Sequence, residues 1–182
     1  MKLISKEHNQ KTDSKSNLDL LAHGGDHGKY VYFIGIGGAG MSAIAKILIN
    51  EGYIVSGSDM ERSPVTYELG ELGVRINTKQ DGECLEPDTN LVITSAAINE
   101  NNPDLRKARS LGLKVVKYSE FLGVLMRTKY GIAISGTHGK TTTTAMISTI
   151  LQKTGHEPTF VIGGNVSGDR KSTRLNSSHP SI

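Results

Sequence analysis

Apolar runs alternate with segments of helical periodicity through most of the chain. Residues 30–36 (YVYFIGI) form an almost continuous apolar run, which is typical of a buried strand. The next segment has four apolar residues at the spacing of one helix face, and Gly52 is placed to end that helix. These four residues are Met41, Ile44, Ala45 and Leu48. The pattern predicts a buried strand followed by an amphipathic helix.

The same alternation continues to about residue 127. Further strands are predicted at residues 53–59, 74–76, 91–95 and 113–117. Further helices are predicted at about 64–72, 103–111 and 120–127, with Ser63 and Ser119 as N-caps and with Gly73 and Gly112 ending the first two. Strands that alternate with helices imply a parallel sheet with crossover helices. Residues 30–127 are therefore predicted to form a doubly wound, Rossmann-like α/β domain.

A second α/β unit is predicted to begin at residue 128. Its expected elements are a strand at 130–135, a glycine-containing loop, a helix from about Lys140 to Lys153 that ends before Gly155, and a strand at 159–164. No closing element follows the last strand, so residues 128–168 are predicted to be the truncated start of a second domain.

Both ends of the chain differ in character from this core. Residues 1–29 are polar without sustained periodicity, which predicts a disordered leader. Residues 169–182 (DRKSTRLNSSHPSI) are polar and patternless, and they resemble translated cloning-vector read-through more than a native terminus. We therefore expect a non-native tail and a natural protein that continues beyond this segment.

Composition and charge exclude several classes of protein. With 36% hydrophobic residues in 182, the chain can bury a core, and its single cysteine cannot form an internal disulfide. The net charge of +3 includes +2 from the tail, so charge alone gives no case for a nucleic-acid partner. No run of eighteen apolar residues and no secretory signal are visible, which predicts a cytoplasmic protein without a membrane partner.

The first chemical motif is a G-x-G-x-x-G at residues 35–40, between a predicted strand and a predicted helix. Such glycines allow a tight turn, close approach of the backbone to a diphosphate, and an anion at the helix N-terminus. Asp59, 19 residues after Gly40, could accept a hydrogen bond from a ribose or a base. The motif favours a nucleotide diphosphate over a purely structural turn, but its spacing does not distinguish NAD from other nucleotides.

The second motif is SGTHGKTT at residues 135–142, again between a predicted strand and a predicted helix. Successive backbone N–H groups in such a loop bind phosphates, a lysine adds charge at the β and γ phosphates, and a threonine hydroxyl can ligate Mg²⁺. The loop is shorter than the usual G-x-x-x-x-G-K-[ST], because Ile134 stands where the first glycine is expected. His138 could contact phosphate or only shape the turn. The fold class predicted overall is a Rossmann-like parallel sheet domain followed by the beginning of a P-loop ATP-binding α/β domain.

Together the motifs resemble the N-terminal portion of the Mur ligases over about residues 30–166. The resemblance rests on residues 33–59, on TSAAIN-x-x-NP at 94–103, on GTHGKTTTTAMISTIL at 136–151 and on PTFVIGGN at 158–165. The shortened loop GTHGKT is itself characteristic of that family. The resemblance implies a peptidoglycan-synthesis ligase that uses ATP and Mg²⁺ to join L-alanine to UDP-N-acetylmuramate through an acyl phosphate.

The resemblance also implies a role for particular residues. The UDP-sugar diphosphate would be held by Gly37, Gly38, Ala39, Gly40 and Met41, with Asp59 and the Ser95-Ala96 turn near the uridine. ATP would be held by Gly136, Thr137, His138, Gly139, Lys140, Thr141 and Thr142. Lys140 and Thr141 would be catalytic, the first at the terminal phosphates and the second as a Mg²⁺ ligand.

Other functions remain as alternatives. An NAD(P)-dependent oxidoreductase would explain the first loop and Asp59, although a dehydrogenase has no use for the second loop. A UDP-sugar sensor would not need that ATP loop either. A related ligase that recycles murein tripeptide typically carries a cysteine among the first glycines, and residues 35–41 (GIGGAGM) contain none. The acidic Glu-Ser-Asp segment, later histidines and C-terminal domain of the family are missing from this sequence. We therefore expect UDP-sugar binding, weak ATP affinity at best, and no ligation by this chain alone.

Overall fold

The computed structural model describes residues 30–162, and its strands form one parallel sheet. The strands are β1 (Tyr30–Ile34), β2 (Ile54–Ser58), β3 (Arg75–Asn77), β4 (Leu91–Thr94) and β5 (Val115–Lys117). Their order across the sheet is β3-β2-β1-β4-β5, and every neighbouring pair is parallel. The Rossmann-like α/β fold predicted from the alternating pattern is confirmed.

Five helices accompany these strands in the described part of the chain. They are α1 (Ala39–Asn50), α2 (Pro64–Glu71), α3 (Pro103–Ser110), α4 (Tyr118–Arg127) and α5 (Lys140–Lys153). The glycines predicted to end helices follow them with positive φ, which are Gly52, Gly73, Gly112 and Gly155. Among residues 30–162 no helix is long and apolar enough to cross a membrane.

Both faces of the sheet are covered by helices. On one face Phe33 belongs to an apolar cluster that includes Ile44 of α1, Leu69 of α2 and Phe121 of α4. On the other face the cluster consists of Tyr32, Ile34, Leu85, Val92, Leu105 and Ala108, the last two from α3. Central parallel strands are expected to be buried on both sides, and β1 and β4 each supply residues to both clusters.

Two helices in this core carry their own polar N-caps. Ser63 caps α2 as predicted, because its hydroxyl oxygen accepts from the Thr66 N–H at 3.3 Å while the Thr66 hydroxyl oxygen accepts from the Ser63 N–H at 2.8 Å. Asn102 caps α3 by accepting from the N–H groups of Asp104 and Leu105 at 3.0 and 3.2 Å. These caps satisfy N–H groups that have no partner inside the helix.

The predicted N-cap at Ser119 is wrong. Helix α4 begins two residues earlier than predicted, at Tyr118, directly after β5, and Lys117 occupies the N-cap position. The Glu120 carboxylate accepts a hydrogen bond from the Lys117 N–H at 3.1 Å. A glutamate at the third helical position can satisfy the N-cap amide in this way, so no serine is needed.

The predicted strand at 130–135 is also wrong. The strand predicted at 159–164 is wrong over 159–162, and its last two residues lie outside the described residues. Residues 130–135 and 159–162 have no strand structure, and the Tyr130 side chain is 96% exposed. A strand needs a neighbour for its backbone N–H and C=O groups, and residues 30–162 supply none for these segments. The predicted leader at 1–29 and the predicted tail at 169–182 lie outside the described residues.

Candidate nucleotide-binding site

The strand order creates a crevice at the carboxyl edge of the sheet. The chain leaves β1 toward β2 on one side, and after β3 it returns to β4 on the other side of β1. In open parallel sheets ligands bind outside the carboxyl ends of the strands at such a switch point. The first glycine loop follows β1 and the Ser95-Ala96 turn follows β4, so both predicted UDP-sugar segments border this crevice.

Hydrogen bonds from three consecutive N–H groups hold the glycine loop against the end of β2. The N–H groups of Gly35 and Ile36 both donate to the Ser58 carbonyl oxygen, at 2.8 and 3.0 Å. The Gly37 N–H donates to Oδ2 of Asp59 at 2.7 Å. The loop conformation is therefore set by the last residue of β2, Ser58, and by the residue that follows it, Asp59.

Close side chains explain two of the loop glycines. A Cβ on Gly37 would lie 2.8 Å from Oδ2 of Asp59, and a Cβ on Gly40 would lie 2.5 Å from the Tyr118 hydroxyl. Both distances are shorter than real Cβ contacts. Sequence reasoning missed Tyr118, because it stands far along the chain, at the start of α4, and carries no motif.

Helix α1 has no side-chain cap at its N-terminus. Its N-cap is Gly38, and the N–H of Ser42 is the first to bond back to the Gly38 carbonyl, at 2.8 Å. The N–H groups of Ala39, Gly40 and Met41 therefore precede the first intrahelical hydrogen bond, and such groups bind anions well. The Met41 side chain is buried in the core, so only its backbone could contact a diphosphate.

The Ser95-Ala96 turn lies directly against the glycine loop. The Ser95 N–H donates to the Ile34 carbonyl at 3.1 Å, and a Cβ on Gly35 would lie 3.2 Å from the Ser95 Cβ. The Ser95 hydroxyl oxygen accepts from the Ala97 N–H at 3.3 Å, and Ala96 is exposed. The structure thus brings together the two segments that the sequence predicted to share a ligand.

Asp59 already has a structural use in the glycine loop. Its Oδ2 accepts from the Gly37 N–H, and its Oδ1 accepts from the Glu61 N–H at 3.0 Å. Each carboxylate oxygen has a second lone pair, so these bonds leave room for a ligand hydroxyl. Contact between Asp59 and a ribose or uridine stays a prediction.

The second loop forms an exposed turn before α5. Gly136 and Gly139 have φ values of +155° and +77°, and Gly139 is the N-cap of α5 without a side-chain cap. Nζ of Lys140 donates to the carbonyl oxygens of Gly136 at 2.6 Å and Thr137 at 3.1 Å. The ammonium group therefore lies across its own loop, beside the uncapped helix N-terminus.

This loop has the donors that a nucleotide phosphate requires. Free N–H groups at the start of α5 and the Lys140 ammonium are both anion-binding groups, and the Thr141 hydroxyl could supply one Mg²⁺ ligand. Residues 30–162 contain no group of three His, Cys, Asp or Glu side chains that could hold a metal ion. The residues fit ATP phosphates, and Mg²⁺ would need oxygen ligands besides Thr141. His138 and Thr142 are exposed in the same turn.

Sequence reasoning also missed a buried carboxylate beneath the site. Asp104 is 0% exposed, and its carboxylate accepts hydrogen bonds from the Ser58 hydroxyl, from the Tyr32 hydroxyl at 3.1 Å and from the Gly82 N–H at 2.7 Å. Burial and the negative charge of Asp104 raise the pKa of the Tyr32 phenol above its usual range. The signal in the sequence was weak, because Asp104 stands in the first turn of α3, where an acidic residue needs no further reason.

The family model for the Mur ligase family, catalytic domain, matches residues 30–130. The chain belongs to the Mur ligase family. Its match includes the glycine loop, Asp59, the Ser95-Ala96 turn and Asp104. The second loop, beginning at Gly136, lies beyond the matched range.

Curated relatives of this Mur ligase chain are proteins named UDP-N-acetylmuramate--L-alanine ligase. The protein of Sulfurihydrogenibium sp. strain YO3AOP1 is 46% identical over 145 residues, which cover 80% of this chain and 32% of the relative. The protein of Burkholderia cenocepacia strain HI2424 is 48% identical over 147 residues, which cover 81% of this chain and 31% of the relative. The Mur ligase chain thus spans about a third of the length of these relatives.

Solved structures of Mur-type ligases share the fold. The UDP-N-acetylmuramate-alanine ligase of Thermotoga maritima matches with a TM-score of 0.71 and 35% identity, covering 77% of this chain and 33% of that one. A murein peptide ligase of Psychrobacter arcticus 273-4 matches with a TM-score of 0.70 and 30% identity, covering 80% and 31%. The names of these two proteins give different activities, so similarity of fold alone does not separate them.

Proposed function

We propose that this chain is the UDP-sugar-binding and phosphate-loop part of a ligase that joins L-alanine to UDP-N-acetylmuramate with ATP. The relatives that are 46% and 48% identical carry the name of that activity. Because the chain spans about a third of their length, ligation would need the remainder of the protein. We also propose that the reaction takes place in the cytoplasm, with neither nucleic acid nor membrane as a partner.

The observation that carries the proposal is the uncapped N-terminus of α1 at the switch point of the sheet. The N–H groups of Ala39, Gly40 and Met41 precede the first intrahelical hydrogen bond, and the N-cap residue Gly38 has no side chain to cap them. A diphosphate would accept hydrogen bonds from these groups and gain from the helix dipole. The Ser95-Ala96 turn and Asp59 would then flank the uridine.

The second loop would bind ATP and position its terminal phosphate. Residues 136–142 would surround the phosphates with backbone N–H groups, with Lys140 as the charge on the transferred group and Thr141 as a Mg²⁺ ligand. In the proposed reaction the muramoyl carboxylate attacks the γ-phosphorus to form an acyl phosphate and ADP. The amino group of L-alanine then attacks the acyl carbon and releases phosphate. The chain's own contribution is orientation and charge neutralisation.

Calorimetric titration of the 182-residue chain tests the binding half of the proposal. The protein, checked as folded by circular dichroism, is titrated with UDP-N-acetylmuramate and separately with NADH. Saturable binding of the UDP-sugar without NADH binding is expected. NADH binding without a response to the UDP-sugar would instead support an oxidoreductase domain and overturn the proposal.

A substitution in the second loop tests the catalytic half. In a longer protein that carries this segment and the rest of the relatives' length, Lys140→Ala should abolish ATP turnover, because the terminal phosphate loses its positive neighbour. UDP-sugar binding should persist, since the Lys140 ammonium donates its hydrogen bonds to carbonyl oxygens of its own loop and not to the first glycine loop. The exposed Lys153 at the other end of α5 offers a matched control, and Lys153→Ala should keep turnover. Retained turnover in Lys140→Ala would contradict the role assigned to the loop.

A further inference from the structure

Three polar side chains are buried together beneath the carboxyl end of β2. Asp104 and Ser58 are 0% exposed and Tyr32 is 1% exposed. The Asp104 carboxylate accepts from the hydroxyl groups of Ser58 and Tyr32 and from the Gly82 N–H. A carboxylate buried this deeply needs its oxygens hydrogen-bonded, and here the donors come from β1, β2 and the segment before β4.

Ser58 connects this buried cluster to the glycine loop. Its hydroxyl donates to Asp104, while its carbonyl oxygen accepts from the N–H groups of Gly35 and Ile36 at 2.8 and 3.0 Å. The next residue, Asp59, accepts from the Gly37 N–H at 2.7 Å. The side chain of Ser58 is thus fixed by Asp104, while the Ser58 carbonyl oxygen and the side-chain carboxylate of Asp59 hold three consecutive loop amides.

We propose that Asp104 is a positioning residue for the UDP-sugar site, which acts through Ser58 to hold the glycine loop in its binding conformation. The inference rests on the proposed function, because it takes the loop to be the diphosphate site. The Asp104 carboxylate bonds to Ser58, Tyr32 and Gly82, which lie outside the loop. Its effect on the loop therefore passes through the hydrogen bond to Ser58.

Stability alone is a weak reason for this carboxylate. Desolvation of a buried charged group offsets much of what its hydrogen bonds contribute, and apolar replacements of buried polar clusters are often neutral or stabilising. Specification of one geometry is the better-supported use of such groups. Here the geometry that Asp104 specifies is the end of β2, where a small shift would turn the Ser58 carbonyl away from Gly35 and Ile36.

The test compares Ser58→Ala, Asp104→Asn and the double variant in the 182-residue chain. Ser58→Ala removes the hydroxyl and keeps the carbonyl that binds the loop. Each single variant should raise the Kd for UDP-N-acetylmuramate about tenfold, the lower end of what supporting residues contribute at other sites. Because both act through one hydrogen bond, the double variant should bind no more weakly than the weaker single variant.

Thr89→Val is the matched control. Thr89 is buried at 7% exposure and precedes β4 at the opposite, amino-terminal edge of the sheet. Its replacement removes a buried hydroxyl without touching the Ser58 cluster. Thr89→Val should lower the thermal midpoint, because a buried polar group is lost, while the Kd for the UDP-sugar stays within about twofold of the parent value.

Amide hydrogen exchange supplies a second readout that does not depend on a ligand. In Ser58→Ala and Asp104→Asn, the amides of Gly35, Ile36 and Gly37 should exchange faster, while the amide of Asn90, which donates to the Tyr30 carbonyl at 2.9 Å, should not change. If Asp104→Asn does not fold, Ser58→Ala carries both measurements.

The outcomes separate this inference from the function on which it rests. A parent chain that does not bind the UDP-sugar overturns the proposed function, and the exchange rates still test whether the cluster holds the loop. A parent that binds, with variants that bind equally well and exchange at parental rates, overturns only the positioning role. Multiplicative losses in the double variant would also overturn it, because the two residues would then act independently.

Discussion

At the scale of single residues, the glycine loop is defined by side chains that approach it from elsewhere in the fold. Gly40, the second residue of α1, lies against the hydroxyl of Tyr118, which comes from the first turn of α4. Gly37 is limited by Asp59, the residue that also fixes its N–H. The requirement for glycine at these positions therefore arises from tertiary packing as much as from access by a ligand.

Gly40→Ala should destabilise the chain. The new methyl group would overlap the Tyr118 ring, and overpacking of this kind costs about 1–3 kcal/mol of unfolding free energy. Urea unfolding monitors the loss, and adding Tyr118→Val to Gly40→Ala should recover most of it. Gly123→Ala is the matched control, because its Cβ would meet only Nη1 of Arg127 at 3.8 Å, and alanine should not destabilise α4 there. Equal losses in Gly40→Ala and Gly123→Ala would contradict the contact.

Tyr32 should make the chain sensitive to alkaline pH. Burial and the Asp104 charge raise the pKa of the Tyr32 phenol in the folded state above its ordinary value of 10.0. The folded state therefore binds this proton more tightly than the unfolded state, so its contribution to stability is complete below about pH 10 and declines above it. Thermal midpoints between about pH 9 and pH 11.5 should fall less steeply in Tyr32→Phe than in the parent. Identical slopes would show that Tyr32 is not the titrating group.

At the scale of elements, the helices divide by how they begin. Helices α2 and α3 carry the side-chain caps Ser63 and Asn102, and in α4 the Glu120 carboxylate serves the N-cap amide. Helices α1 and α5 have the glycines Gly38 and Gly139 as N-caps, without a side-chain cap. A missing cap leaves N–H groups available to an anion. The two uncapped glycine starts are those of the two loops proposed to bind phosphates.

An acidic cap on α1 should therefore compete with the diphosphate. Gly38 has φ −61° and ψ 140°, which any residue adopts, and the nearest atom to its Cβ would be the Gly35 carbonyl oxygen at 3.6 Å. Gly38→Asp should keep or raise the thermal midpoint, because aspartate is a good N-cap, while UDP-sugar binding falls below detection in calorimetry. Gly38→Ala, with neither cap nor charge, should retain binding. Undiminished binding by Gly38→Asp would argue against a ligand at this helix end.

At the scale of the whole molecule, the packed core stops before the second loop. Within residues 30–162, every buried hydrophobic residue lies between Val31 and Leu125. Beyond them Tyr130 is 96% exposed, and Met146 and Ile150 of α5 are 56% and 59% exposed. This distribution supports our proposal that residues 30–127 form one domain and that residues 128–168 begin another.

A chain that ends at Lys129 should therefore unfold at the same temperature as the 182-residue chain. Among the described residues after Leu125, Ser148 is the one that is buried, so removal of α5 costs little buried surface. Thermal unfolding at low protein concentration provides the comparison, and the shortened chain should bind UDP-N-acetylmuramate with the same Kd. A fall of several degrees in the midpoint would show that α5 supports the first domain and would contradict this boundary.

The sequence by itself determined the succession of strands and helices along the chain up to residue 127, the glycines that end helices, the Ser63 cap and the two glycine loops. These features depend on residues that are close neighbours in the sequence. Its errors were local signals without long-range support. Ser119 is not the N-cap of α4, because the Glu120 carboxylate accepts from the N–H of Lys117, which holds the N-cap position. Residues 130–135 form no strand, because the described residues supply no neighbouring strand for them.

Only the tertiary structure decided which distant groups meet under the loop. Ser58 and Asp104 are 46 residues apart, and Tyr32 and Asp104 are 72 apart. No periodicity relates such pairs; they meet because β1 and β2 are adjacent in the sheet and α3 packs on the face that carries Tyr32. A contact of this kind is set by the free energy of packing the whole sheet between its helices, which local spacing in the sequence does not encode.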